Sequence, residues 1–361
     1  MIQEAPAGMI VRRSCFRKPF GAFFIILFFL LYGCSTASGS IDDKDSSVAV
    51  PSYWKEYLDG KAEELKKAEA STNGNGVSFA FITDIHVGSN NMVSPVILKY
   101  LQDKGVIQRV ICGGDIIYEF HNRREEAINE LSQWSESTKG LRLVTLLGNH
   151  DLNSNNQTNL SQGLGEDEFY AIVCKQNESF VRYEAGELYG YEDILNQRIR
   201  FLYLNTGAPD NAVIKQSQLD WMRERILELE AGWTVVVFAH QFWTGIRSTE
   251  PKLALDNNGV LIESTLNSIY DHSRATIACV IVGHCHRNYS NQSSKGYPII
   301  ATTCDSGGFN SDLYDPDTPI RQAGTITEQS FDFYFINTKM RQIDIIRIGA
   351  GDSLMDRRFN Y

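Results

Sequence analysis

No two cysteines of this 361-residue chain form a C-x-x-C pair, so a thiolate zinc site of that kind is not expected. Beyond Cys15 and Cys34 the cysteines are Cys112, Cys174, Cys279, Cys285 and Cys304. Five cannot all pair within the chain, which argues against a disulfide framework. Cys112 and Cys279 lie in apolar, β-rich runs, where a small buried hydrophobe is the expected role. A Gly-x-x-x-x-Gly-Lys phosphate loop is missing, and with it the usual nucleoside-triphosphatase chemistry. A Gly-x-Ser-x-Gly nucleophile elbow is missing too. There is no internal repeat and no low-complexity segment. Basic residues are in the minority, 34 against 44 acids, for a net charge of -10. Without the first 33 residues the counts are 30 and 43, about -13. An acidic surface repels a phosphate backbone, so nucleic acid is not expected as a partner. The N-terminal apolar run, residues 20–32, falls short of the roughly 20 residues that span a bilayer as a helix.

What is present is an ordinary globular composition, 43% hydrophobic and 22% charged, at a length suited to one large domain or two small ones. Arg12, Arg13, Arg17 and Lys18 precede the apolar run, and Gly33, Cys34 and Ser35 follow it. That is the layout of a secretory signal. Leu31-Tyr32-Gly33-Cys34 resembles a bacterial lipoprotein cleavage box, with Tyr32 bulkier than the usual residue. The resemblance implies lipidation of Cys34 and an exported protein anchored in the bacterial cell envelope. Ser35 and the Asp42-Asp43-Lys44-Asp45 stretch point weakly to the outer membrane. An uncleaved anchor helix or a plain signal peptide is the alternative. The expected organisation is a signal over 1–33, a flexible Ser- and Asp-rich tether over 34–52, an N-terminal helix and loop over 53–76, and one domain over 77–361. Trp54, Tyr57 and Leu65 would dock the helix on that domain.

From Val77 apolar runs recur: 77–83, 106–112, 141–147, 199–204, 233–239, 277–282, 297–303, 331–337 and 343–348. Several are nearly continuous in Val, Ile and Leu, as strands buried on both faces are. Helical stretches fall near 92–104, 122–138, 216–231 and 259–272. Alternating strands and helices predict an α/β domain, with the late strands antiparallel for want of long helices between them. The Asn-rich stretch 149–162 reads as a long loop beside the active site.

The ends of these runs carry the chemistry. They deliver Asp84-Ile85-His86, Gly113-Gly114-Asp115, Gly148-Asn149-His150-Asp151, His240 and Gly283-His284-Cys285-His286. Ligands bind at the C-terminal strand edge of α/β sheets. Imidazoles and carboxylates together suit one or two transition metals. Asp84 and His86 are spaced two apart, as are His284 and His286, so each pair can aim at one ion. Asp115 is able to bridge two ions about 3.5–4 Å apart. Gly148 and Gly283 are read as allowing a sharp departure from the strand. Any one piece is a weak signal; the set, in order and each at a strand end, is specific.

This series resembles the calcineurin-like metallophosphoesterase superfamily over roughly residues 77–350. The resemblance implies a four-layer αββα sandwich with mixed sheets and two metal ions, manganese, iron or zinc. It implies Asp84, His86, Asp115 and His286 around the first ion and Asp115, Asn149, His240 and His284 around the second. Asn149 and His150 would contact the phosphate, and His150 would protonate the leaving oxygen. A hydroxide between the metals would attack phosphorus in line, with no covalent intermediate. The chain departs from the family pattern at Tyr118, where many members carry Asp or Asn. Tyr118 is then a pocket wall or an iron-bound phenolate, and Asp151 or a backbone carbonyl would orient His150. Gln218-Leu219-Asp220-Trp221 and Asp356-Arg357-Arg358-Phe359 also resemble exported bacterial members, with purely structural roles as the alternative.

The expected function is hydrolysis of a phosphorylated small molecule, foremost a phosphomonoester. A phosphodiesterase or nucleotidase on the same site is the alternative, as is a non-catalytic binding lipoprotein. Arg182, Arg247 and Arg287 are candidate substrate clamps, and Phe242, Trp243, Phe309 and Tyr314 candidate base-stacking walls. Nothing points to a protein partner.

Overall fold

The computed structural model of the chain describes residues 48–118, 120–154, 160–207, 212–244, 252–307 and 320–361. The signal, Cys34 and most of the tether lie outside the described residues, as do Arg247, Phe309 and Tyr314. Among the described residues no helix is long and apolar enough to cross a membrane.

The chain enters through helix α1 (Ser52–Ser71), then runs β1 (Gly76–Ile82), α2 (Ser94–Asp103), β2 (Val110–Cys112), α3 (Arg124–Ser137) and β3 (Leu143–Thr145). A short helix α4 (Glu166–Phe169) leads to β4 (Arg182–Tyr183), β5 (Gly190–Ile194), β6 (Ile199–Tyr203), α5 (Gln216–Leu227), β7 (Thr234–Ala239), α6 (Asn257–Tyr270) and β8 (Thr276–Val282). The last stretch is all strand: β9 (Tyr289–Gln292), β10 (Pro298–Ala301), β11 (Ser330–Asn337), β12 (Gln342–Gly349) and β13 (Arg357–Asn360). Two mixed sheets result, ordered β13-β12-β11-β1-β2-β3 and β4-β5-β6-β7-β8-β10-β9. The late strands are antiparallel as expected, except that β10 pairs with β8 in parallel.

The near-continuous apolar runs make this a four-layer structure, because each strand feeds two cores. Val77, Phe79 and Phe81 of β1 point between the sheets, while Ala80 and Ile82 point to the helices. In β7, Val236 and Phe238 face inward, and Val235, Val237 and Ala239 face α5 and α6. The inter-sheet layer is centred on Phe79, Phe81, Phe201, Tyr203, Phe238 and Tyr334. The Phe79 and Tyr334 rings, cross-strand partners, stack at 5.2 Å with 2° between planes. Such pairs contribute about 0.5–1.5 kcal/mol beyond their buried area.

Helix α1 docks through buried Trp54, Leu58 and Leu65, while the Tyr57 hydroxyl accepts from Gly349 N at 2.9 Å. The C-terminal Arg357-Arg358-Phe359 forms edge strand β13. From there Arg357 reaches buried Asp332, which is also bound by fully buried Arg347 at 2.7 Å and by Thr302 at 2.7 Å. Arg347 donates in turn to Asn288, two residues past His286. The tail therefore braces the last metal-type motif from behind, which is a structural role. All five described cysteines are buried and free.

Candidate metal centre

Strands β1, β2 and β3 run parallel in one sheet and β6, β7 and β8 in the other, so their C-terminal ends share one edge. The chain leaves that edge in tight, interlocked loops. Asp84 N donates to Gly114 O at 2.9 Å, His86 N to Asp115 O at 3.0 Å, and His284 N to Asp84 Oδ2 at 3.1 Å. Asp84, His86, Asp115, His284 and His286 all have left-handed backbones, with φ between 47° and 66°. Such conformations cost roughly 1–3 kcal/mol each and persist only where surrounding contacts over-determine them. Gly148 and Gly283 act differently from expectation, since neither has a positive φ. A Cβ on Gly148 would lie 2.1 Å from Asp115 N, and one on Gly283 2.1 Å from Thr83 Oγ1. Their role is close approach of two loops rather than a special turn.

Two groups of side chains converge. Asp84, His86, Asp115 and His286 offer atoms all within 4.8 Å of one another, and so do Asp115, His240 and His284. Asp115 belongs to both. Asn149 joins the second group, its Oδ1 lying 3.0 Å from His240 Nε2 and 2.8 Å from His284 Nδ1. His150 stands beside the shared carboxylate, with Nε2 3.8 Å from Asp115 Oδ2.

The hydrogen bonds test whether this donor set fits a metal. His240 Nδ1 lies 2.7 Å from Gly113 O, and His86 Nδ1 3.0 Å from Ile117 O. A carbonyl only accepts, so both rings carry hydrogen on Nδ1. The Nε2 lone pair of a neutral His240 then faces two acceptors, Asn149 Oδ1 and Asp115 Oδ1, the latter at 3.3 Å. His86 Nε2 likewise faces His286 Nε2 at 3.2 Å. Ring nitrogens and acceptor oxygens brought this close are a donor set suited to a cation, and backbone carbonyls behind the far nitrogens are the usual support of metal-binding histidines. The residues fit two ions.

Electrostatics follow from that crowding. Burial opposes charge on His240, but the charge and hydrogen bond of Asp115 outweigh it and raise its pKa to about 10. Burial and the His286 charge push His86 down to about 3; burial and the His240 charge do the same to His284. Burial favours protonation of Asp115, yet the His240 and His150 charges hold it well below the usual carboxylate range.

Asp151 does not orient His150. Its Oδ2 accepts from Gly148 N at 2.8 Å and Asp115 N at 3.0 Å, and its Oδ1 from Ile116 N at 2.7 Å and Ile117 N at 3.1 Å. It is a fully buried tie between two metal-type loops. Burial and the Asp115 charge raise its pKa to about 6 against the pull of those amides. The Tyr118 ring sits edge-on to His86 at 6.3 Å, forming a wall on that side. Motif spacing gave no signal for two further residues. Phe120 stacks on His150, and Thr206 Oγ1 accepts from both His240 N and Gln241 N at 3.0 Å.

Other candidates fall elsewhere. Phe242 and Trp243 are buried in the core over β7 and β8. Arg182 stacks on Tyr191 at the sheet edge. Arg287 is 7% exposed, next to His286. Cys285 is buried, its Sγ 3.7 Å from Arg287 O. Gln218 of α5 is structural, bonding the backbone of Asn205 from both ends of its amide at 2.7 and 2.9 Å.

A family model described as calcineurin-like phosphoesterase matches residues 77–288. Among solved structures, a dimetal phosphatase from Danio rerio is 15% identical, with a TM-score of 0.51, covering 79% of this chain and 98% of the other. A purple acid phosphatase from yellow lupin (Lupinus luteus) seeds is 14% identical, with a TM-score of 0.49 and coverage of 76% and 52%. A 5'-nucleotidase from Candida albicans is 14% identical, with a TM-score of 0.40 and coverage of 73% and 52%. This chain thus spans about half the length of the last two. At such identities the likeness is one of fold alone. No curated protein matches the chain.

Proposed function

The chain belongs to the calcineurin-like phosphoesterase family, and from that premise we propose that it hydrolyses phosphate monoesters with His150 as general acid. As a member it is a metal-dependent phosphoester hydrolase that works with two transition-metal ions. The first ion is assigned to Asp84, His86, Asp115 and His286, and the second to Asp115, Asn149, His240 and His284. The observation that supports this is the pair of side-chain groups sharing Asp115. Ions bound there acidify a water near neutral pH and polarise phosphoryl oxygens.

The chain's own groups do the rest. Asn149 and His150 flank the shared carboxylate and bind the phosphoryl group. His150 gives its Nε2 proton to the leaving oxygen, a task suited to imidazole near neutrality. The monoester preference is supported by charge. The seven assigned ligands include only two carboxylates, Asp84 and Asp115. Two divalent ions then leave about two positive charges, or about one once the attacking water has ionised, and a net-positive site attracts the dianionic group of a monoester more strongly than a monoanionic diester. The purified protein should carry two metal ions and favour p-nitrophenyl phosphate over bis(p-nitrophenyl) phosphate by at least about tenfold in kcat/KM, roughly 1.4 kcal/mol. A preference for the diester would reverse the assignment.

Membrane anchoring through Cys34 is proposed from the sequence alone, on the basic and apolar N-terminus and the Leu31-Tyr32-Gly33-Cys34 box. In a bacterial host the full chain should incorporate an alkyne-labelled fatty acid, and Cys34→Ser should not. Equal labelling of the two would refute lipidation at this cysteine.

A further inference from the structure

We infer that Phe120 is the positioning residue of His150, holding by ring stacking an imidazole that no carboxylate among the described residues orients; this rests on His150 being the general acid. The two rings lie 4.7 Å apart with 14° between their planes. On the other side, the His86 ring meets His150 edge-on at 5.3 Å and 76°. His150 is thus sandwiched, and the parallel contact fixes the plane of its ring. The common alternative is a hydrogen bond from the far ring nitrogen. Here His150 Nδ1 is buried without a hydrogen-bond partner among the described residues, while Nε2 faces Asp115. The adjacent carboxylate, Asp151, is committed to four backbone amides.

Stacking orients a ring only if the partner is itself held. Phe120 sits in a strap clamped on both sides. Glu130 of α3 accepts from Tyr118 N at 2.8 Å and lies 3.2 Å from His121 Nε2. Asn153 grips His121 twice, accepting from its N at 2.7 Å and donating to its O at 3.0 Å. Asn153 N also donates to His150 O at 2.9 Å. The turn carrying His150 and the strap carrying Phe120 are therefore joined through one buried amide, and the two rings move together.

A misplaced general acid affects only esters that need one. Nitrophenolate leaves without a proton, whereas an alkoxide requires it. The full chain as wild type, Phe120→Leu, Phe120→Trp and His150→Ala is assayed on p-nitrophenyl phosphate and glycerol 2-phosphate, with bound metal measured in each. Phe120→Leu should lower kcat on glycerol 2-phosphate about 10–100-fold, the scale of a 1 Å displacement, and lower it on the nitrophenyl ester by no more than about threefold. Two metal ions should remain, and Phe120→Trp should restore most of the loss. His150→Ala should show the same split, larger. An equal loss on both esters in Phe120→Leu, or none, overturns the positioning role while a split in His150→Ala leaves the general acid standing. A His150→Ala protein with no split removes the general acid, and the inference with it. Should Phe120→Leu fail to fold, Phe120→Trp against Phe120→Ile decides on the same two esters.

Discussion

Asp115→Ala is expected to lower kcat/KM by about 10⁴-fold or more and to reduce bound metal from two ions to less than one. The magnitude follows from the position of the side chain. Asp115 is the one residue common to both ligand groups, so its loss removes a donor from each ion at once. It also removes the acceptor of His150 N, at 3.0 Å, and the anion 3.3 Å from His240 Nε2. Metal-derived charge stabilisation is worth several kcal/mol. At about 1.4 kcal/mol per decade, four decades require roughly 5.5 kcal/mol, which loss of both ions supplies. His284→Ala is the control, since His284 belongs to only one group. It should keep about one ion. Elemental analysis beside steady-state kinetics reads both. An Asp115→Ala protein that keeps two ions, or loses less than tenfold in rate, would remove Asp115 from the shared position.

The sheets were legible in the sequence because their central strands are buried on both faces. In the run 233–239 only Thr234 is polar, the five residues after it are all apolar, and β7 follows the run to within one residue. Edge strands were not legible. In β13, Arg357 and Phe359 are half-buried while Arg358 and Asn360 are exposed, and β9 is mostly exposed, so neither carries a clear apolar signal. The run 106–112 overstated its strand: Val106 and Ile107 are buried before the ladder begins at Val110. The site divides in the same way. Ligand-type residues announce themselves through residue type and position at a strand end, and the structure brings them to one edge. The residues that hold them do not. Phe120 meets His150 across 30 residues of chain, and no spacing encodes a ring stack. Phe242 and Trp243 looked like pocket walls because they follow His240. Instead Asp256 N bonds Phe242 O at 3.1 Å, and both rings are buried in the core with residues of α6. Asp151 misled because it adjoins His150; in so tight a turn neighbouring side chains diverge, and its carboxylate points back into the loops.

That carboxylate carries the second large effect. Asp151→Asn should destabilise the protein by about 2–6 kcal/mol and weaken metal binding, although Asp151 belongs to neither ligand group. Each carboxylate oxygen accepts two backbone N–H groups, one pair from Gly148 and Asp115, the other from Ile116 and Ile117. An amide has one oxygen. Whichever way it is turned, its NH₂ confronts two buried donors, and each unsatisfied donor costs about 1–3 kcal/mol. For a domain of this size the loss corresponds to a fall in Tm of roughly 5–15 °C. The loops so loosened carry Asp115, Asn149 and His150, and an active-site displacement of about 1 Å costs on the order of 100-fold in rate. Thermal unfolding with and without added manganese separates the two consequences. If stacked loops were held by their other contacts alone, Asp151→Asn would melt within about 2 °C of wild type and keep both ions, and the tie would be incidental. A large fall in Tm, partly recovered by metal, would mean that the carboxylate builds the site whose ions it never touches.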